Sequence, residues 1–138
     1  MRKVISLDEE RYRKIQKNSV SRFVFNKDFL SISKRFRIFL DKRSEGLSVF
    51  LNEKKLKEMF MIGDKVVGVK QKSLELKKTK ALGILMKDKI NALQLSVVSC
   101  PTCHPLHAEI RAIEEGKAML IALQLAQQAV LFERNETL

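Results

Sequence analysis

The chain has 138 residues, of which 45% are apolar, enough to build a genuine core. No apolar run approaches the roughly 20 residues a membrane span needs, and the start lacks the long apolar stretch of a secretory signal, so an intracellular protein, cytoplasmic or nuclear, is expected. Two cysteines exclude a disulfide framework, and the net charge of +11 is uneven: residues 1–78 carry 21 Lys/Arg against 10 Asp/Glu, whereas residues 79–138 carry 6 against 6.

A basic half joined to a neutral half suggests a polyanion-binding arm, with nucleic acid as first partner and an acidic membrane surface as second. The plain alternative is a solvated lysine-rich surface.

In chain order, Ser6 followed by Glu9 is a capping-box pattern, and Asp8, Glu9 and Glu10 fall where a helix dipole favours acids. A helix from Leu7 to about Lys17 is predicted, and Val20 to Phe25 alternates weakly as a strand would. Phe29, Ile32, Phe36, Phe39 and Leu40 recur at spacings of three and four, which predicts an amphipathic helix. Lys34, Arg35 and Arg37 lie on its other faces and are the candidate nucleic-acid-binding residues.

Ser44, Glu45 and Gly46 break this element. Leu47 to Leu51 could form a short strand, and Asn52 could cap a helix carrying Leu56, Met59 and Phe60. From Met61 the texture changes to glycines and valines, with Val66 to Val69 as a plausible strand.

Leu82 to Met86 and Ala92 to Val98 are strand-length apolar runs separated by Lys87 to Asn91, a hairpin signal in which Asn91 could adopt the left-handed conformation. Pro105 suits a first helical turn, and Leu106, Glu109, Ile113, Gly116, Leu120 and Leu123 then follow at helical spacing. Ala129 to Phe132 reads as a buried strand. Glu109 is out of place on that apolar face, because an unpaired buried charge is costly. Either it lies at the rim, paired with a core Arg or the helix N-terminus, or it serves a site.

The run from Ala108-Glu109 through Ala112, Gly116 and Leu123 to Val130-Leu131-Phe132-Glu133, with Gly83-Ile84-Leu85-Met86-Lys87-Asp88 upstream, resembles the ribonuclease H-like domains of plant retroelement-derived proteins over about residues 80–138. The resemblance implies an α/β fold with an incomplete ribonuclease H-like mixed sheet: an antiparallel hairpin, a helix and a parallel strand. The implied layout is a basic, mainly helical N-terminal extension over residues 1–60 and a domain over residues 61–138, truncated at its C-terminus.

The family's chemistry is Mg²⁺-dependent cleavage of the RNA strand of an RNA–DNA hybrid by clustered acids, which suit a hard divalent ion. By resemblance Glu109 is the helix acid and Asp64 the first-strand acid, both catalytic and metal-binding. Asn135 stands where the third acid belongs, and the fourth acid has no counterpart. Weak or absent hydrolysis is expected, and the alternative is a non-catalytic basic nucleic-acid-binding module. A third reading is a fragment whose exposed sheet edge prevents a stable fold.

Cys100, Cys103, His104 and His107 form the remaining cluster. Covalent haem attachment would need export, a zinc wrap is resisted by Pro101 and Pro105, and the Cys pair precedes the His, the wrong order for a zinc deaminase. The default is an ordinary loop with free thiols.

Overall fold

A computed structural model describes residues 7–40, 46–67, 78–102, 104–111, 113–114 and 116–134. The elements are α1 (Leu7–Gln16), β1 (Ser19–Val24), 3-10 turns at Lys27–Leu30 and Arg35–Phe39, β2 (Leu47–Leu51), α2 (Leu56–Ile62), and a wide π-type turn at Gly63–Val67. Then come β3 (Ala81–Met86), α3 (Lys87–Ala92), β4 (Ser96–Ser99), β5 (His107–Arg111), α4 (Ala118–Gln128) and β6 (Val130–Glu133).

The six strands form one sheet in the order β4-β5-β2-β1-β3-β6, and every pairing is antiparallel. The chain is therefore mixed α/β. The expected parallel strand is replaced by β6 running antiparallel to β3, Leu82 opposite Phe132. The line drawn at residue 60 falls inside this sheet: β1 and β2 lie between β5 and β3.

Side-chain alternation along the strands gives the sheet two faces. On one, Val20, Val24, Val49, Leu85 and Ile110 pack with Phe39 and Ile38 of the second 3-10 turn, Ile90 of α3, and Ala122 and Leu125 of α4. On the other, Phe50, Leu82, Ile84 and Phe132 pack with Tyr12 of α1 and Leu56, Met59 and Phe60 of α2.

Several sequence-based expectations change for local physical reasons. The helix predicted through Phe29 to Leu40 is two 3-10 turns, with Ile32 89% exposed. Here the Asn26 side chain accepts from Asp28 N at 3.0 Å and Ser31 Oγ donates to the Asp28 carbonyl at 3.0 Å, local bonds that compete with a continuous helix.

Asn52 caps nothing. Lys55 occupies the N-cap of α2, while Asn52 is buried, its amide donating to Ser19 Oγ at 2.8 Å and its oxygen accepting from Ser21 Oγ. In place of the strand over Val66 to Val69, the Gly63–Val67 turn continues α2, and positions 68 and 69 lie outside the described residues. The Lys87–Asn91 connector is helical, and Gln94 rather than Asn91 takes the left-handed conformation (φ 63°). Its flanking strands form no hairpin, because β5, β2 and β1 lie between β4 and β3.

The long helix predicted from Pro105 is mostly absent. Leu106, Ala108 and Ile110 are buried while His107 and Glu109 are only partly so, the period of a strand, and β5 pairs on both sides. Helix begins only at Ala118, after Gly116 in a left-handed conformation (φ 84°). Leu120 and Leu123 of the predicted apolar stripe then face outward, and Ala122 and Leu125 face the core.

Candidate nucleic-acid interface

The two 3-10 turns place the predicted basic residues against the C-terminal end of β1. Lys34 and Arg37 are exposed, and the Arg37 guanidinium lies 6.0 Å from the Phe36 ring centroid. Arg35 has a different role: its Nη2 donates to the Leu30 carbonyl at 2.8 Å, bracing one turn against the other.

Beside Arg37 opens a cleft of about 480 Å³ lined by Arg22, Phe25, Asn26, Lys27, Phe29 and Arg37, among others. Arg22 fixes its floor, with Nε donating to the Ile38 carbonyl at 2.9 Å and Nη1 to the Ser48 carbonyl at 2.8 Å. Lys27 and Arg37 therefore supply charge at the cleft, and Phe25 and Phe29 are half-buried beside them. Cationic groups suit phosphate, and aromatic rings suit the π-face of a base. The helical period singled out Arg37 as a binding residue and Phe29 only as part of an apolar stripe, and it did not reach Lys27 or Phe25. The available signal was the interleaving of Arg and Lys with Phe from Arg22 to Arg37.

The two candidate metal acids are not brought together. Asp64 lies in the turn after α2, where its carboxylate accepts from Thr79 N at 2.7 Å and from Arg134 Nη1 at 2.9 and 3.0 Å. Burial would raise its pKa, but the hydrogen bonds from Thr79 and the guanidinium of Arg134 outweigh this and hold it below the usual Asp value.

Glu109 is on β5, opposite Ser48 on one side and Val98 on the other, with Arg111 Nη2 at 3.6 Å. The Asp64 carboxylate lies where the chain enters β3, and the three strand spacings from β5 to β3 amount to about 14 Å. Oxygen ligands of one divalent ion must each come within about 2.6 Å of it. Asn135 lies outside the described residues. Among the described residues, no group of three or more His, Cys, Asp or Glu is placed to hold a metal ion.

The Cys/His loop is tied internally. Leu106 N donates to His104 Nδ1 at 3.1 Å, and His107 uses both ring nitrogens, Nδ1 against the Cys100 carbonyl at 3.0 Å and Nε2 against Ser48 Oγ at 2.7 Å. Cys103 lies outside the described residues.

No family model, no curated protein and no solved structure matches the chain. Among the described residues no helix is long and apolar enough to cross a membrane.

Proposed function

We propose that the protein is a non-catalytic nucleic-acid-binding module that grips the phosphate backbone through its basic N-terminal half, which fits a cytoplasmic or nuclear location. The observation that carries this reading is the cleft at the end of β1, where Lys27 and Arg37 stand beside Phe25 and Phe29 in the half of the chain that holds all the excess positive charge.

The test is a binding titration of labelled single-stranded RNA, duplex DNA and RNA–DNA hybrid across a salt series. Log affinity should fall linearly with log salt, and the triple variant Lys27→Glu, Lys34→Glu, Arg37→Glu should weaken binding at least tenfold and reduce the slope by roughly one for each phosphate it no longer neutralises. Binding that ignores both salt and the triple variant would overturn the reading.

The ribonuclease H-like kinship, with Mg²⁺-dependent cleavage of RNA–DNA hybrids, rests on the residue patterns Gly83 to Asp88 and Ala108 to Glu133 alone. It is reinstated as the function if the protein cuts the RNA strand of a hybrid only with Mg²⁺ and Glu109→Gln abolishes the cut.

A further inference from the structure

The antiparallel pairing of β2 with β5 sets Ser48 opposite Glu109 and Phe50 opposite His107, so Ser48 and His107 are diagonal neighbours on one face of the sheet. Their side chains meet, Ser48 Oγ lying 2.7 Å from His107 Nε2. The other ring nitrogen, Nδ1, lies 3.0 Å from the carbonyl oxygen of Cys100.

A carbonyl oxygen only accepts, so the proton of the neutral imidazole resides on Nδ1. The lone pair of Nε2 is left to accept the Ser48 hydroxyl proton. The base is also held in place. Cys100 N donates to the His107 carbonyl at 2.8 Å, His107 N donates to the His104 carbonyl at 3.0 Å, and the Phe50 ring packs 5.5 Å from the imidazole at 57°. Ser48 itself is an exposed residue. A nucleophile, a base within hydrogen-bond reach and a third group orienting that base are the elements of an activated hydroxyl.

We propose that Ser48 is a nucleophile with His107 as its general base, reactive toward activated acyl and phosphonyl esters. In the reaction with a fluorophosphonate, Ser48 Oγ bonds to phosphorus, the phosphorus–fluorine bond breaks, fluoride departs, and the hydroxyl proton passes to His107 Nε2. With an activated carboxylic ester, Oγ bonds to the carbonyl carbon, the alcohol leaves and takes that proton, and water then releases the acid. Arg22 at the floor of the basic cleft donates to the Ser48 carbonyl, but Ser48 Oγ and His107 lie outside the cleft lining, so the proposal does not rest on nucleic-acid binding. A cross-strand Ser–His bond that serves only to align β2 and β5 has the same static geometry but no reactivity, and the test separates the two.

The full chain is treated with a fluorophosphonate probe, and the adduct is located by mass spectrometry. One adduct at Ser48 is expected, absent from Ser48→Ala and from heat-unfolded protein. His107→Gln, checked for folding by circular dichroism, should slow labelling at least about tenfold, since a positioned general base contributes typically 10²–10⁴-fold.

A second readout uses the wild-type chain alone. Folded wild type should label at least about tenfold faster than the same chain unfolded in urea, whereas a hydroxyl without a positioned base labels alike in both states. No adduct on the folded protein, an adduct on another residue, or equal labelling of the folded and urea-unfolded chains would overturn the proposal.

Discussion

Arg134 Nη1 lies 3.0 and 2.9 Å from the two carboxylate oxygens of Asp64, joining the turn after α2 to the residue following β6 across 70 positions of sequence. The same nitrogen reaches the Thr79 carbonyl at 3.3 Å, and the guanidinium lies 5.6 Å from the Phe60 ring centroid. Both side chains are more than two-thirds covered, so this pair ties the ends of α2, β3 and β6 into one corner.

Asp64→Asn should therefore lower stability by about 1–2 kcal/mol, since it weakens a charge-assisted bond and leaves Arg134 without its counter-ion. The pH dependence follows from the sign of the shift. A carboxylate held below its usual pKa adds stability that is present above the unfolded value of about 3.9 and is lost as pH falls through the folded value. Acid unfolding curves of wild type and Asp64→Asn should converge below about pH 4 and separate above it, as followed by circular dichroism.

Asn52 is the polar centre of the junction between α1, β1 and β2. It joins Ser21 and Ser19, and Ser19 Oγ in turn donates to the Gln16 carbonyl at 2.8 Å. Asn52→Leu removes both amide partners in a buried setting and should cost about 2–3 kcal/mol in urea unfolding. An unchanged midpoint would show that the network adds nothing to stability.

Two glycines should respond to Ala for different reasons. At Gly63, with an ordinary helical backbone (φ −57°), an added methyl would meet the Thr79 hydroxyl and lie 2.7 Å from the Phe23 ring, so Gly63→Ala should cost about 2 kcal/mol through overpacking. At Gly116 nothing lies within 4 Å but φ is +84°, so Gly116→Ala should cost about 1 kcal/mol through backbone strain. Gly116→Asn, which tolerates that conformation, should recover part of the loss in thermal melts, whereas Gly63→Asn should not.

Tyr12 is fully buried, donates its hydroxyl to the Lys54 carbonyl at 2.6 Å and meets the Phe132 ring edge-on at 6.1 Å. Burial, and then the negative charge of Glu58, push its pKa well above the usual tyrosine range. An acid held above its unfolded pKa adds stability that is complete below that pKa, about 10, and declines as pH rises through the folded value. Tyr12→Phe should lose about 1 kcal/mol at neutral pH and be less sensitive to alkali than wild type in denaturation series between about pH 9 and 11.

Elements whose pattern was both local and redundant could be read directly from the residues. The first helix followed from its acidic first turn, β2 from Leu47 to Leu51, and β6 from the apolar run ending at Phe132. The segment from Leu106 to Ile113 fits two periods at once. Spacings of three and four pick out Leu106, Glu109 and Ile113, while alternation picks out Leu106, Ala108 and Ile110, and the open edge of β2 favoured the second. The reading of Glu109 as a helix acid depended on that choice. Of the basic residues, Lys34 and Arg37 were legible as charges, but that Arg35 would turn to the Leu30 carbonyl was not.

The order of residues by itself determined the class of the chain, mixed α/β with its positive charge gathered in the first half, because apolar period and net charge are properties of the string. Which strands became neighbours, which acids met, and that Ser48 would face His107 across β2 and β5 were decided only on folding. The physical reason is that strand pairing is non-local: the ladder bonds β2 offers could be satisfied by any strand of suitable length, and the winner is set by how the whole sheet buries its two faces.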